Sequence, residues 1–195
     1  MLDIPSRIYS KAIWETIKYR TKEYRDIYSF DTQMEYPGTV GEYTANMLRR
    51  LAFYFQPRVV VEVGTYIGRS THAIAEGMGH GEIHTCDTGP GLLADDSWKG
   101  VFIHKYHSIS TEMLKVIDKP VDLFFFDGRI QPADMEFIKK LAVPECLYLF
   151  DDFEGIEKGV CNALMLQPLG GILVLPEEGQ TLGMMLRTKM GFSRQ

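Results

Sequence analysis

The sequence has little of what would fix a compartment or a partner at first sight. Three cysteines occur in 195 residues, Cys86, Cys146 and Cys161. Their odd number and wide spacing argue against a disulfide framework and read as reduced core thiols. Five histidines are scattered without the paired spacing of a tetrahedral zinc site. No apolar run is long enough to span a bilayer, and the opening MLDIPSRIYSK lacks the apolar stretch of a signal peptide, so the expectation is a soluble, cytoplasmic protein. Positive charge is also in short supply: 21 Lys and Arg against 26 Asp and Glu give a net charge of −5. That balance argues against a polyanion as first partner, so neither nucleic acid nor membrane is expected. What remains is ordinary globular composition, 45% hydrophobic, with length enough for one domain and a real core.

The texture changes near Tyr36-Pro37-Gly38. Before it, Ile13, Ile17, Tyr24, Ile27 and Tyr28 recur at roughly helical spacing, so residues 1–38 are expected to form a helical segment serving as a lid or as a dimer surface. After it, Thr39 with Glu42 three residues on is a capping-box start for a helix through Met47, Leu48, Leu51 and Tyr54, which Pro57 stops. From there to the end, short apolar runs return regularly: 59–63, 82–86, 101–103, 121–126 and 146–150. Runs such as VVVEV and LFFF are too apolar to leave one face wet, and the intervals between runs hold a helix and two turns. A Rossmann-like, doubly wound α/β sheet follows, mostly parallel, with helices on both faces over residues 39–195. The final runs, 171–176 and 182–187, are separated by only a few turn-forming residues, which predicts a closing hairpin.

Ligands of open α/β sheets sit outside the carboxyl ends of the strands, and here that edge is acidic. The first run ends in Glu62-Val63-Gly64-Thr65-Tyr66-Ile67-Gly68-Arg69-Ser70-Thr71, the second in Asp87, the third in His107-Ser108, the fourth in Asp127-Gly128 and the fifth in Asp151-Asp152. Such an edge suits a cationic or hydroxyl-rich ligand and repels a bare phosphate. The Gly64-x-x-x-Gly68 spacing lacks the G-x-G-x-x-G of pyrophosphate binders, so an NAD-dependent oxidoreductase is the weaker reading. A helix beginning near Arg69 and Ser70 offers free N–H groups to a carboxylate, and Asp87 lies at the spacing of a ribose-gripping acid. Together these describe S-adenosylmethionine.

At these residues the chain resembles the class I S-adenosylmethionine-dependent methyltransferases, from about Thr39 to Lys189. The E-V-G-T-Y-I-G-R-S-T segment is similar to their first cofactor motif. The resemblance implies a seven-stranded sheet with a reversed strand in the C-terminal hairpin, and the cofactor set Glu62, Gly64, Thr65, Tyr66, Gly68, Ser70, Asp87, Ser108 and Asp127. Phe126-Asp127-Gly128 with Phe150-Asp151-Asp152 further resembles the metal-dependent O-methyltransferases of the catechol and macrolide-sugar types. It implies a divalent metal, Mg²⁺ or else Ca²⁺ or Mn²⁺, on Asp127, Asp151 and Asp152, with Asp127 also catalytic. The acceptor would be a hydroxyl on a small molecule, of sugar, phenol or natural-product type. The pattern departs from the family at Ile130, where the catechol enzymes carry a lysine base, and at Arg129. Those departures motivate an alternative, a non-catalytic binding protein on the same fold.

Plain structural explanations compete. Gly64 and Gly68 suit any strand-to-helix turn, and Asp127-Gly128 suits an ordinary turn. Asp152 suits the N-cap of a helix through Val160 and Leu164, and Ser108 or Ser110 suits the cap of the preceding one. Trp98 would either stack on an adenine or cover the sheet edge.

Overall fold

The computed structural model describes residues 15, 19, 38–89, 96–153, 158–169, 172–177 and 180–186; of residues 172–177, 180, 181 and 186 only the backbone is described. The expected N-terminal helices lie outside this set. The first described helix, α1 (Glu42–Phe55), ends where Gln56 turns left-handed one residue before Pro57, its N–H on the Ala52 carbonyl. Its start differs from the capping-box expectation. Gly41, extended, is the N-cap and no side chain caps the helix, because the chain turns helical two residues too late for Thr39.

Then come β1 (Val59–Val63), α2 (Arg69–Met78), β2 (Gly81–Cys86), a two-residue β3 (Ser97–Trp98), β4 (Val101–Tyr106) and α3 (Ser110–Val116). β5 (Val121–Phe126), α4 (Asp134–Leu141), β6 (Ala142–Phe150), α5 (Lys158–Leu166), β7 (Ile172–Glu177) and β8 (Gln180–Leu186) follow. One sheet has the order β3-β4-β2-β1-β5-β6-β8-β7. Its central pairs are parallel, while β8 runs antiparallel to both β6 and β7. The closing hairpin therefore inserts its second strand beside β6, and the seven-stranded methyltransferase sheet expected above is present with one addition, β3. Two residues are too short to show alternation, which is why β3 has no signal in sequence. β6 also begins earlier than expected: its pairing with β5 is irregular between Val121 and Leu123, and Pro144 is accommodated in that stretch.

Alternation along the strands splits the core into two layers. Val60, Ile83, Leu123, Phe125, Leu147 and Leu149 face α1 and α2, where Leu48, Leu51 and Ile74 meet them. Val61, Phe124, Phe126, Tyr148 and Phe150 face α3, α4 and α5, against Met113, Ile138 and Leu166. On this second face the cross-strand rings stack, Phe124 on Tyr148 and Phe126 on Phe150, both at 5.5 Å. Each such ring contributes about 1.5–3 kcal/mol by burial, so the strand ends at the carboxyl edge are rigidly spaced. No helix among the described residues is long and apolar enough to cross a membrane. Cys86, Cys146 and Cys161 are not in disulfides, and burial, with Glu62 nearby, pushes the Cys86 thiol up to about 12, which makes it a poor nucleophile.

Candidate functional site

The carboxyl edge is tied together by backbone bonds before any side chain acts. Gly64 donates to the Cys86 carbonyl at 2.9 Å, Asp127 to the Val63 carbonyl at 2.9 Å, and Asp151 to the Phe126 carbonyl at 3.1 Å. Gly64 has φ of +98°, and a Cβ there would stand 2.7 Å from the Gly128 nitrogen. The glycine is thus needed for a turn packed on the end of β5, whether or not a ligand approaches it. Gly64→Ala should cost about 2–4 kcal/mol from backbone strain plus overpacking. An unchanged urea midpoint would refute that.

The turn reaches α2 through Gly68, left-handed at the N-cap, and no side chain caps the helix. The first-turn N–H groups at Arg69, Ser70 and Thr71 therefore lack a side-chain acceptor from the N-cap. Glu62 lies completely buried under this turn, its Oε2 taking hydroxyl bonds from Thr71 at 2.5 Å and Thr85 at 2.6 Å. Thr65 joins the network through Thr85 at 2.5 Å. Burial, only partly offset by these hydroxyls, pushes Glu62 up to about 7. A raised carboxyl makes the fold most stable with that group protonated: its contribution is complete below pH 4.5 and is lost as the pH rises through about 7. The loss amounts to about 3 kcal/mol. Urea unfolding across this window should show the slope in the wild type and a flatter profile in Glu62→Gln; parallel profiles would contradict it.

Asp87 closes β2 with both oxygens already directed. Oδ2 accepts from the Tyr66 N–H and Oδ1 from the Gly89 N–H, each at 2.7 Å. At the end of β5, Asp127 Oδ1 meets Lys158 Nζ at 2.7 Å, and Asp152 Oδ2 meets the same ammonium at 3.0 Å. The approach of α5 that delivers Lys158 rests on Gly159, where a Cβ would fall 1.7 Å from the Asp151 carbonyl oxygen. Burial raises Asp127 against the opposing pull of Lys158. Burial lowers Lys158, and Asp127 and Asp152 more than offset it, holding the lysine above its ordinary value. Asp151 is pushed up to about 7 by burial, then by Asp127 and Asp152.

A cavity of about 360 Å³ opens between these strand ends. Of the residues expected for the cofactor, Gly64, Tyr66, Asp87, Ser108 and Asp127 line it. Thr65 and Ser70 line a small adjoining crevice with Tyr66 and Asp127. Glu62 and Gly68 line neither and act by shaping the turn. Asp151 and Asp152 do not line it, although Asp152 pairs with Lys158, which does. Trp98 is away from it, stacked on His72 at 4.1 Å.

Three contributors were missed in the sequence. Lys158 lies six residues beyond Asp152, across a stretch with no periodic signal. Asp134 is wholly buried and accepts bonds from Ser110 at 2.6 Å and the Gln131 N–H at 2.7 Å, fixing two cavity residues; Thr111 donates to it as well. Ser110 therefore serves Asp134, and α3 has no side-chain cap. Asn162 holds the loop after β5 by donating to the Gly128 carbonyl at 2.8 Å and accepting from Ile130 N–H at 3.2 Å. Asp134 was legible only as one more acid in a helix start.

This sheet order, reversed hairpin and carboxyl-edge cavity define the fold of S-adenosylmethionine-dependent methyltransferases. Solved structures share it. An O-methyltransferase from Bacillus cereus in complex with SAH matches at TM-score 0.62 and 17% identity, over 88% of this chain and 99% of that one. The O-methyltransferase TomG from Streptomyces achromogenes, involved in tomaymycin synthesis and in complex with SAM, matches at TM-score 0.59 and 19% identity, over 89% and 88%. The SAH-bound methyltransferase PaMTH1 of Podospora anserina matches at 0.57 and 14%, over 95% and 98%. No family model and no curated protein matches the chain.

Proposed function

We propose that this chain is an S-adenosylmethionine-dependent O-methyltransferase acting on a hydroxyl of a small molecule, in the cytoplasm. The observation that carries the reading is one cavity holding Asp87 on one wall and the Asp127–Lys158 pair on another, in a fold that solved O-methyltransferases share. A cavity of this size falls within the roughly 300–1,000 Å³ of small-molecule sites. The donors fit the cofactor: Asp87 offers carboxylate oxygens to ribose hydroxyls, and the uncapped start of α2 offers N–H groups to a carboxylate. When bound, the cofactor supplies a methyl group activated by a sulfonium.

The remaining work falls to this chain's own residues. Asp127, the carboxylate in the cavity wall, accepts the proton of the acceptor hydroxyl. Lys158, fixed between Asp127 and Asp152, keeps its positive charge and stabilises the oxygen anion that results. Asp134 keeps Ser110 and the Gln131 backbone in place beside them.

The divalent metal implied for Asp127, Asp151 and Asp152 meets an obstacle in this arrangement. Lys158 Nζ stands at hydrogen-bond distance from two of the three carboxylates, so as folded the set does not fit a cation unless the lysine withdraws. The test uses methyl-labelled cofactor and a panel of sugars, phenols and other small hydroxyl compounds. Label appearing on an acceptor oxygen supports the reading, and its persistence in chelator supports Lys158 as the resident cation. Loss of turnover in chelator, restored by Mg²⁺ or Mn²⁺, would return that role to the metal. Cofactor binding without transfer to any acceptor favours the non-catalytic alternative.

A further inference from the structure

Apart from the cavity, β2 and β4 bring together side chains that stand far apart in sequence. Glu82 and His84 lie two residues apart on β2 and so share a face, and the parallel register sets His104 of β4 directly opposite His84. The two imidazoles stack at 4.6 Å with planes 17° apart. His84 Nε2 is 3.7 Å from Glu82 Oε1, and His104 Nε2 is 3.4 Å from Glu82 Oε2. All three donor atoms fall within 4.8 Å of one another.

We propose that Glu82, His84 and His104 form a binding site for a zinc-class divalent cation, independent of the methyl-transfer reading and separate from the cofactor cavity. Two donors each about 2.1 Å from a tetrahedral ion stand about 3.4 Å apart, and the contacts to Glu82 are already close to that spacing. A second observation concerns His84 itself. Its residue is 8% exposed, and its Nε2 is buried without a hydrogen-bond partner, aimed at Glu82. Its other nitrogen, Nδ1, sits 2.9 Å from the Tyr106 hydroxyl. With Nδ1–H donating to that oxygen, Nε2 is left with a free lone pair, the outer-shell arrangement that orients metal-bound histidines. Two imidazoles and one carboxylate leave a fourth position for water, and this donor set suits Zn²⁺ or Co²⁺ better than Mg²⁺.

Lys119 is the competitor. Its Nζ lies 2.8 Å from Glu82, and its side chain is more than half exposed, so it can swing into solvent when a cation arrives. Glu82 and His84 lie upstream of the carboxyl end of β2 and do not line the cavity, whereas Cys86 and Asp87 at that end do. An ion here would pin β2 to β4 without touching the cofactor.

The test is calorimetric titration of the full chain with Zn²⁺, with Co²⁺ absorption as a report of geometry. One ion per chain is expected, with tetrahedral Co²⁺ bands. Tyr106→Phe should weaken binding about tenfold, the order expected when an outer-shell partner is lost. His104→Ala should weaken it further, and Lys119→Gln should strengthen it. His104 is exposed, so its variant should melt like the wild type without metal while losing the rise in melting temperature that Zn²⁺ gives the wild type. No uptake by the wild type, or equal affinity in wild type and His104→Ala, as binding at the exposed Cys161 would give, overturns the proposal.

Discussion

Asp87→Ala is expected to weaken S-adenosylmethionine binding on the order of a hundredfold. Hydrogen bonds to a charged group contribute about 1.5–3 kcal/mol each, and the variant removes the acid placed for two ribose hydroxyls. It also releases the Tyr66 and Gly89 N–H groups that Asp87 now holds, so the turn after β1 loosens together with the pocket. Asp87→Asn separates these effects. One amide oxygen can keep one of the two backbone bonds, but the charge is gone, so affinity should fall between wild type and alanine. Calorimetry reads both; wild-type affinity in the alanine variant would remove Asp87 from the cofactor site.

Lys158→Met should lower turnover by about 10²–10³-fold, the cost of losing one preorganised charge donor to an oxygen anion. Cofactor affinity should stay within a few-fold of wild type, because in this reading the lysine meets the acceptor rather than the cofactor. The variant also leaves Asp127 and Asp152 without their cation. If Mg²⁺ or Mn²⁺ then restores activity to the variant while the wild type ignores both, lysine and metal are alternative occupants of one place. Wild-type turnover in Lys158→Met would show that the ammonium plays no part in the chemistry.

The fold was largely legible because its signals are local. Apolar runs such as Val59–Val63 and Val121–Phe126 coincide with the observed strands, and the short break between the last two runs does give the hairpin. The helix expected near Arg69 begins there. The cavity lining was legible at the strand ends and within three residues beyond them, as at Gly64, Tyr66, Asp87, Ser108 and Asp127. What sequence could not show depends on distant segments closing on one another. Lys158 reaches Asp127 because Gly159 allows α5 against the Asp151 carbonyl. Asp134 matters because two loops converge on it. His84 and His104 meet only through the register of β2 and β4. Glu62 shows the converse: an acid read as a ligand-binding group is enclosed under the turn and acts on it from below.

If the cavity at the carboxyl edge takes S-adenosylmethionine, it also takes the demethylated product. Calorimetric titration of the wild-type chain with S-adenosylhomocysteine, the product free of side reactions, tests it most directly. One site per chain with micromolar-range affinity, lost in Asp87→Ala and absent for NAD, is the predicted result; no heat with the product, or preference for NAD over it, would contradict the account.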